Sequence, residues 1–329
     1  MILAGDVGGT HTRLALMADG GEDPRHLEVY RSRDHSSLEE MLRQFVAAHP
    51  AELEAATLGV AGPVRDGRTQ TINLAWPVDA AALPEVLGLD GDRVSVINDL
   101  EANAWGLEAL KAGDLSPLNV ADSERGGTVA LISAGTGLGE AFVTHGPQGP
   151  VAQASEGGHV DFAARSEQQV ELRRWLAGTD GHVSYERVCS GMGLVSIYEF
   201  LRERSGEPEP AWLSEERAGG ADGPAITRAG LARVDQVASD ALDLMIEIYG
   251  AQAGNLALTV LATGGVYLGG GIAPRIVERL DEGGFMEAFK AKGRMSSLLE
   301  EIPVWVILND RAALLGAGLH AAAHSEAVS

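Results

Sequence analysis

Apolar residues at the start of the chain come in short aliphatic runs, broken by glycine turns. Met1-Ile-Leu-Ala and Arg13-Leu-Ala-Leu-Met17 flank the turn in Gly5-Asp-Val-Gly-Gly-Thr10, and Val129-Ala-Leu-Ile and Glu140-Ala-Phe-Val-Thr144 flank Gly135-Thr-Gly-Leu-Gly139. Both segments read as strand, turn, strand. Further strands are expected at 26–30, at 57–61 before Gly62-Pro63, and at 94–97, which delivers Asn98 and Asp99 ahead of a helical stretch at 100–107. Between them the period changes. Leu38, Met41, Leu42, Phe45 and Val46 recur at helical spacing and stop before Pro50, while Ser36 and Ser37 stand three residues ahead of Glu39 and Glu40 as candidate capping boxes.

The polar stretch 111–127 reads as a crossing between domains, after which the strand-turn-strand pattern starts again. Clustered Glu, Pro and Gly make 202–223 a solvated loop. From 231 to 253 helical periodicity returns, with Val234, Val237, Ala241, Leu244, Met245 and Ile248 on one side as core, any exposed surplus serving an oligomer interface. Val266-Tyr-Leu enters Gly269-Gly270-Gly271, with Pro274 suited to a first helical turn; a strand at 304–308 and a helix at 312–323, packing back on the first domain, finish the chain.

A length of 329 residues favours two domains and a cleft. The net charge of −22, without a basic stripe, makes nucleic acid and anionic membrane poor partners; an anionic nucleotide must be held by local amides, helix N-termini and a divalent metal. Cys189 is the only cysteine, which excludes an internal disulfide and a cysteine-based zinc cage. With no basic-then-apolar leader and no run approaching the ~20 residues that span a bilayer, the chain reads as untargeted and cytoplasmic.

There is no Walker loop, and neither hairpin opens a helix as a dinucleotide fingerprint does. In Asp6-Val7-Gly8-Gly9-Thr10 the carboxylate can orient Mg²⁺ through water while the turn amides and the Thr10 hydroxyl approach phosphate; a tight hairpin with a solvated aspartate reads the same residues as well. Asp99 taken alone reads as a carboxylate answering a helix dipole.

The ordered set of motifs changes that balance. Gly5-Asp-Val-Gly-Gly-Thr10, Val60-Ala-Gly-Pro63, Ile97-Asn-Asp99, Gly135-Thr-Gly-Leu-Gly139, Ser155-Glu-Gly-Gly-His159, Tyr185-Glu-Arg-Val188 with Ser190-Gly191, and Gly269-Gly-Gly271 together resemble the bacterial glucokinases of the hexokinase, actin and Hsp70 superfamily, the type without the zinc-cysteine motif of the repressor-and-sugar-kinase cousins. The resemblance spans nearly the whole chain. It implies an α/β fold of two RNase-H-like (actin-like ATPase) domains, with mixed sheets flanked by helices around a central cleft: residues 1–110 plus about 305–329 as the smaller domain and 111–304 as the larger. It further implies phosphorylation of D-glucose by ATP with Mg²⁺ and without structural zinc, and a homodimer. Asp99 is then the general base; Asn98, Asp99, Glu156, His159 and Glu186 contact the sugar. Gly5, Asp6, Val7, Gly8, Gly9 and Thr10 form the first nucleotide motif, Gly135, Thr136, Gly137 and Gly139 the second, and Gly269, Gly270 and Gly271 the adenosine side. Substitution of Gly137 is thus expected to harm ATP use more than sugar use.

His11 departs from the asparagine common in relatives. Two other functions stay open at this level: a kinase for mannose, fructose or an N-acetylated amino sugar, and a sugar-sensing regulator. Against the regulator, the first hairpin begins within the first ten residues and the chain is strongly acidic.

Overall fold

The computed structural model describes residues 1–328 except 22, 70–73, 75, 123, 125, 147–148, 179–180 and 221. It divides into two compact units, Met1–Asp114 with Ala152–Ala154 and Asn309–Ser329, and Leu115–Val151 with Ser155–Leu308.

In the first unit, β1 (Ile2–Val7), β2 (His11–Met17), β3 (His26–Arg31), β4 (Ala55–Val60) and β7 (Val94–Asn98) form a five-stranded sheet in the order β3-β2-β1-β4-β7; β5 (Arg68–Thr69) and β6 (Val78–Asp79) make a separate short ladder. β1 pairs antiparallel with β2 and parallel with β4, which pairs parallel with β7. Alternation fails in β4, buried at every position, because helices cover both faces of the parallel part. One is the helix Leu38–Ala48. Its N-cap Ser37 accepts the Glu40 N–H, and the Glu40 carboxylate reaches back to Ser36 N–H at 2.8 Å, so the two anticipated boxes merge into one cap. The C-terminal helix Ala312–Val328 packs in this same unit: Gly316 lies so close to the Ala102 carbonyl that a Cβ would collide with it.

The second sheet repeats the plan. Here β8 (Leu115–Asn119), β9 (Val129–Ala134), β10 (Leu138–Gly146), β11 (Gly149–Ser155), β12 (Gly265–Gly269) and β13 (Val304–Ile307) run β11-β10-β9-β12-β13-β8, with β9 antiparallel to β10 and parallel to β12 as β1 is to β2 and β4. Two expectations of the sequence change here. The stretch 111–127, whose positions 123 and 125 lie outside the described residues, contains strand β8, and β13 belongs to this sheet rather than to the return into the first unit.

The segment 202–223, with 221 undescribed, is largely helical instead of a loop. Helix Gly191–Ser205 stops at Gly206, Ala211–Ala218 follows, and Asp222–Leu231 begins almost at once. Its charges are paired, not merely solvated: Arg217 bonds Glu209 at 2.6 Å, Asp222 at 2.6 Å and Glu199 at 3.0 Å, and lies over the Tyr198 ring, while Leu213 is buried below. Asp235 caps the long helix Gln236–Val260 and leaves Val234 outside it, exposed. That helix is buried along most of its length, with Gly250 and Gly254 against the Phe285 and Phe289 backbone and the Tyr249 hydroxyl donating to the Ile132 carbonyl at 3.0 Å. Among the described residues no helix is long and apolar enough to cross a membrane.

Candidate active site

The first hairpin is held by a residue from another strand's end. Gly8 N–H closes the turn onto the His11 carbonyl at 3.0 Å; the buried Ser32 hydroxyl donates to the Gly8 carbonyl at 2.6 Å, and Ser32 N–H donates to the Thr10 carbonyl at 3.0 Å. The N–H groups of Gly9 and Thr10 donate to no acceptor among the described residues. Two consecutive free amides on this turn are donors that an anion could use. Gly5 and Val7, by contrast, lie buried within β1, where a Cβ on Gly5 would meet the Leu58 side chain, so they place the turn without presenting a side chain to a ligand.

Asp6 faces Arg13 across the ladder, with Arg13 Nη1 at 3.2 Å from Oδ2 and Nη2 at 2.9 Å from Asp310 Oδ2. Burial raises the Asp6 carboxyl pKa and Arg13 opposes the rise. Asp99 opens a helix, Asp99–Gly106, just beyond β7. Asn98 caps that helix: its Oδ1 accepts the Leu100 N–H at 2.9 Å and its Nδ2 donates to the Gly62 carbonyl at 2.8 Å, leaving one amide hydrogen for a ligand. Burial, together with the neighbouring Asp6 carboxylate, pushes Asp99 up to about 7, while backbone N–H groups pull the other way.

In the second unit the hairpin and the expected sugar contacts are one hydrogen-bonded construction. Glu186 Oε2 accepts the Leu138 N–H at 3.0 Å and fills the space where a Cβ on Gly137 would stand; Glu186 N–H donates to the Gly158 carbonyl at 2.9 Å; Gly191 N–H donates to the Gly135 carbonyl at 2.8 Å. Ser190, which caps the Gly191–Ser205 helix, donates to the Glu186 carbonyl at 2.7 Å. His159 sits between two carboxylates, its Nε2 at 3.9 Å from Glu156 Oε2 and its Nδ1 at 4.0 Å from Glu186 Oε1, and both His159 and Glu156 are exposed. An imidazole flanked by carboxylates is a row of donors and acceptors that can read neighbouring hydroxyls. Thr136 and Gly137, like Gly9 and Thr10, hold N–H groups with no acceptor among the described residues.

The 269–271 turn ends β12 beside the end of β9. Gly269 lies against Ser133, whose hydroxyl is buried with no hydrogen-bond partner among the described residues; Gly270 has φ of 79° against the Ala134 backbone; at Gly271 a Cβ would meet nothing. Only Gly270 needs glycine for its backbone angle. This turn and the second hairpin thus leave the sheet from adjacent strands, joined where Ile272 N–H donates to the Ala134 carbonyl at 3.1 Å.

Comparison with known proteins gives these residues their context. The family model described as Glucokinase matches residues 3–324. The chain belongs to the glucokinase family. A glucokinase of Nostoc punctiforme (strain ATCC 29133 / PCC 73102) is 40% identical over 98% of this chain and 99% of its own length. The crystal structure of a glucokinase from an Antarctic psychrotroph is similar with a TM-score of 0.83 and 29% identity, over 97% of this chain and 98% of that one. A glucokinase of the ROK family from Streptomyces griseus, solved with glucose and AMPPNP, shares the fold at a TM-score of 0.65 and 23% identity, over 96% of this chain and 97% of its own. The actin-like two-sheet architecture expected of a glucokinase is therefore the one observed. What the motifs did not show is the part played by Ser32 and Arg13, which meet Gly8 and Asp6 only through sheet pairing and the turn after β3.

Proposed function

We propose that the chain transfers the γ-phosphoryl group of ATP to the 6-hydroxyl of D-glucose, giving glucose 6-phosphate and ADP. The observation that carries this reading is Asp99, a carboxylate at the carboxyl end of a sheet strand whose pKa is pushed to about 7. Family membership over residues 3–324 supports the reaction class. Asp99 takes the hydroxyl proton as its oxygen attacks the γ-phosphorus in line. Asn98, Glu156, His159 and Glu186 hold the sugar hydroxyls. The free amides at Gly9 and Thr10 and at Thr136 and Gly137 suit phosphate oxygens, and the 269–271 turn, with the unpartnered Ser133 hydroxyl, suits the nucleoside.

Asp6 is the residue that would hold Mg²⁺. Its single carboxylate, at the end of β1 just ahead of the free amides of the first hairpin, suits an ion that keeps water and phosphate as most of its ligands. When bound, the ion neutralises charge on the phosphates. The homodimer belongs to the same proposal, and light scattering on the purified chain decides it.

A panel of hexoses with ATP and Mg²⁺, read by ADP release, tests the function. Glucose should exceed mannose, fructose and N-acetylglucosamine by about tenfold or more in kcat/KM, and chelation of the metal should abolish turnover. A better rate with another hexose overturns the substrate; no ADP release with any sugar overturns the reaction.

A further inference from the structure

One buried carboxylate in the second unit has no place in the reaction as described. Glu140 follows the second hairpin on β10, opposite Ile132, and is 2% exposed. Burying a carboxylate costs free energy unless it is bonded. Gln252 of the long helix supplies the bond, its Nε2 donating to Glu140 Oε1 at 2.7 Å. Gln252 is itself held: Asn255 Nδ2 donates to Gln252 Oε1 at 3.1 Å and to the Tyr185 hydroxyl at 3.0 Å, and Lys292 Nζ donates to Asn255 Oδ1 at 2.5 Å and to the Ala251 carbonyl at 2.8 Å. A continuous polar chain therefore runs from Lys292 to one oxygen of Glu140.

The other oxygen, Oε2, faces the 156–159 loop. It stands where the Cβ of any residue other than glycine at 157 would be, so Gly157 rests directly on this carboxylate. Backbone angle does not explain the glycine, because Gly157 is not among the positive-φ positions. The neighbouring Gly158 rests in the same way on the Leu138 carbonyl, one turn of the pleat earlier on β10. The loop carrying Glu156 and His159 is thus seated on the strand of the second hairpin at two points, and one of them is a side chain.

We propose that Glu140 is a positioning residue for the sugar: clamped by Gln252, its carboxylate is the floor that sets the height of the 156–159 loop and so of Glu156 and His159. The inference rests on the reading that this loop contacts glucose. Its chemistry is steric, so an amide of the same shape serves equally.

Steady-state kinetics on the full chain, varying glucose and ATP separately, test it. Glu140→Ala removes the floor and should raise the glucose KM about tenfold while the ATP KM stays within about threefold, because the 135–139 turn is held by Glu186 and Gly191. Gly157→Ala sets a methyl against the carboxylate and should raise the glucose KM similarly. The double variant Glu140→Ala/Gly157→Ala lets the methyl enter the vacated space and should return the glucose KM to within about threefold of the unaltered chain, as should Glu140→Gln by itself. Additive losses in the double variant, an unchanged glucose KM in Glu140→Ala, or equal rises in both KM values with falls in kcat and Tm would overturn the inference while leaving the proposed function standing. No turnover of glucose by the unaltered chain would overturn both.

Discussion

Replacing Asp99 by Asn should slow the enzyme and stabilise the protein, and the two effects should share one pH dependence. The Asp99 carboxyl is raised from 3.8 to about 7 by burial and by Asp6. In the folded protein it therefore binds a proton over a range where the unfolded chain has already lost it, from about pH 4 to about pH 7. With a folded pKa above the unfolded one, its favourable contribution is present at acid pH and is lost as pH rises through about 7. A shift of about three units corresponds to about 4 kcal/mol as an upper limit. Even a quarter of that raises Tm by about 1–2 °C. Asn carries no charge to bury, so Asp99→Asn should melt higher than the unaltered chain at pH 8, and the difference should vanish near pH 4. Turnover with glucose at pH 8 should fall about 10²- to 10⁴-fold, with glucose binding by calorimetry kept within about tenfold, since the amide still bonds but takes no proton. In the unaltered enzyme kcat/KM should fall about tenfold per pH unit below about 7. Turnover of the variant within tenfold of normal refutes Asp99 as base. An acid limb near pH 4, or no gain in Tm at pH 8, refutes the electrostatic reasoning.

Ser32→Ala frees the Gly8 carbonyl and should raise the ATP KM several-fold and cost about 1–3 kcal/mol in urea melts, with the glucose KM little changed; an unchanged ATP KM removes Ser32 as the hairpin's anchor. Gly137→Ala presses on the Glu186 carboxylate, so glucose and ATP KM should rise together, contrary to the nucleotide-biased effect that the motif by itself suggests; a change in the ATP KM alone would restore the simpler expectation. His320 is pushed down to about 4 by burial and by His324, so the unfolded chain gains a proton that the folded one resists between about pH 6.5 and 4, and stability falls as pH drops through that window; His320→Asn should flatten the fall in Tm, and an unchanged slope would assign it elsewhere.

Local pattern was enough for some of these features. The two hairpins follow from aliphatic runs interrupted by glycines, and Asn98 and Asp99 lie at a strand end because the apolar run stops just before them. The helix Leu38–Ala48 begins where its serine and glutamate say it should. Where the reading failed, polarity misled it: 202–223 looks solvated, but Arg217 pairs with carboxylates from three segments and turns a charged stretch into packed helices. β13 looked like the approach to the C-terminal helix because sequence order does not show which sheet a strand joins.

By itself the sequence determined the repeated strand-turn-strand plan, the chemistry available at Asp6, Asp99, Glu156, His159 and Glu186, and the family. Those depend on residue type and short spacing, which steric and hydrogen-bonding rules read directly. Tertiary structure alone decided what holds and tunes them. Ser32 reaches Gly8 through the pairing of β2 with β3, Asp99 is raised by its burial and then by Asp6, which the first sheet brings near it, and Glu140, bonded by Gln252 of the long helix, lies beneath Gly157. A desolvated charge or a missing Cβ acquires its meaning from neighbours distant in the chain, and that neighbourhood exists only after the sheets have formed.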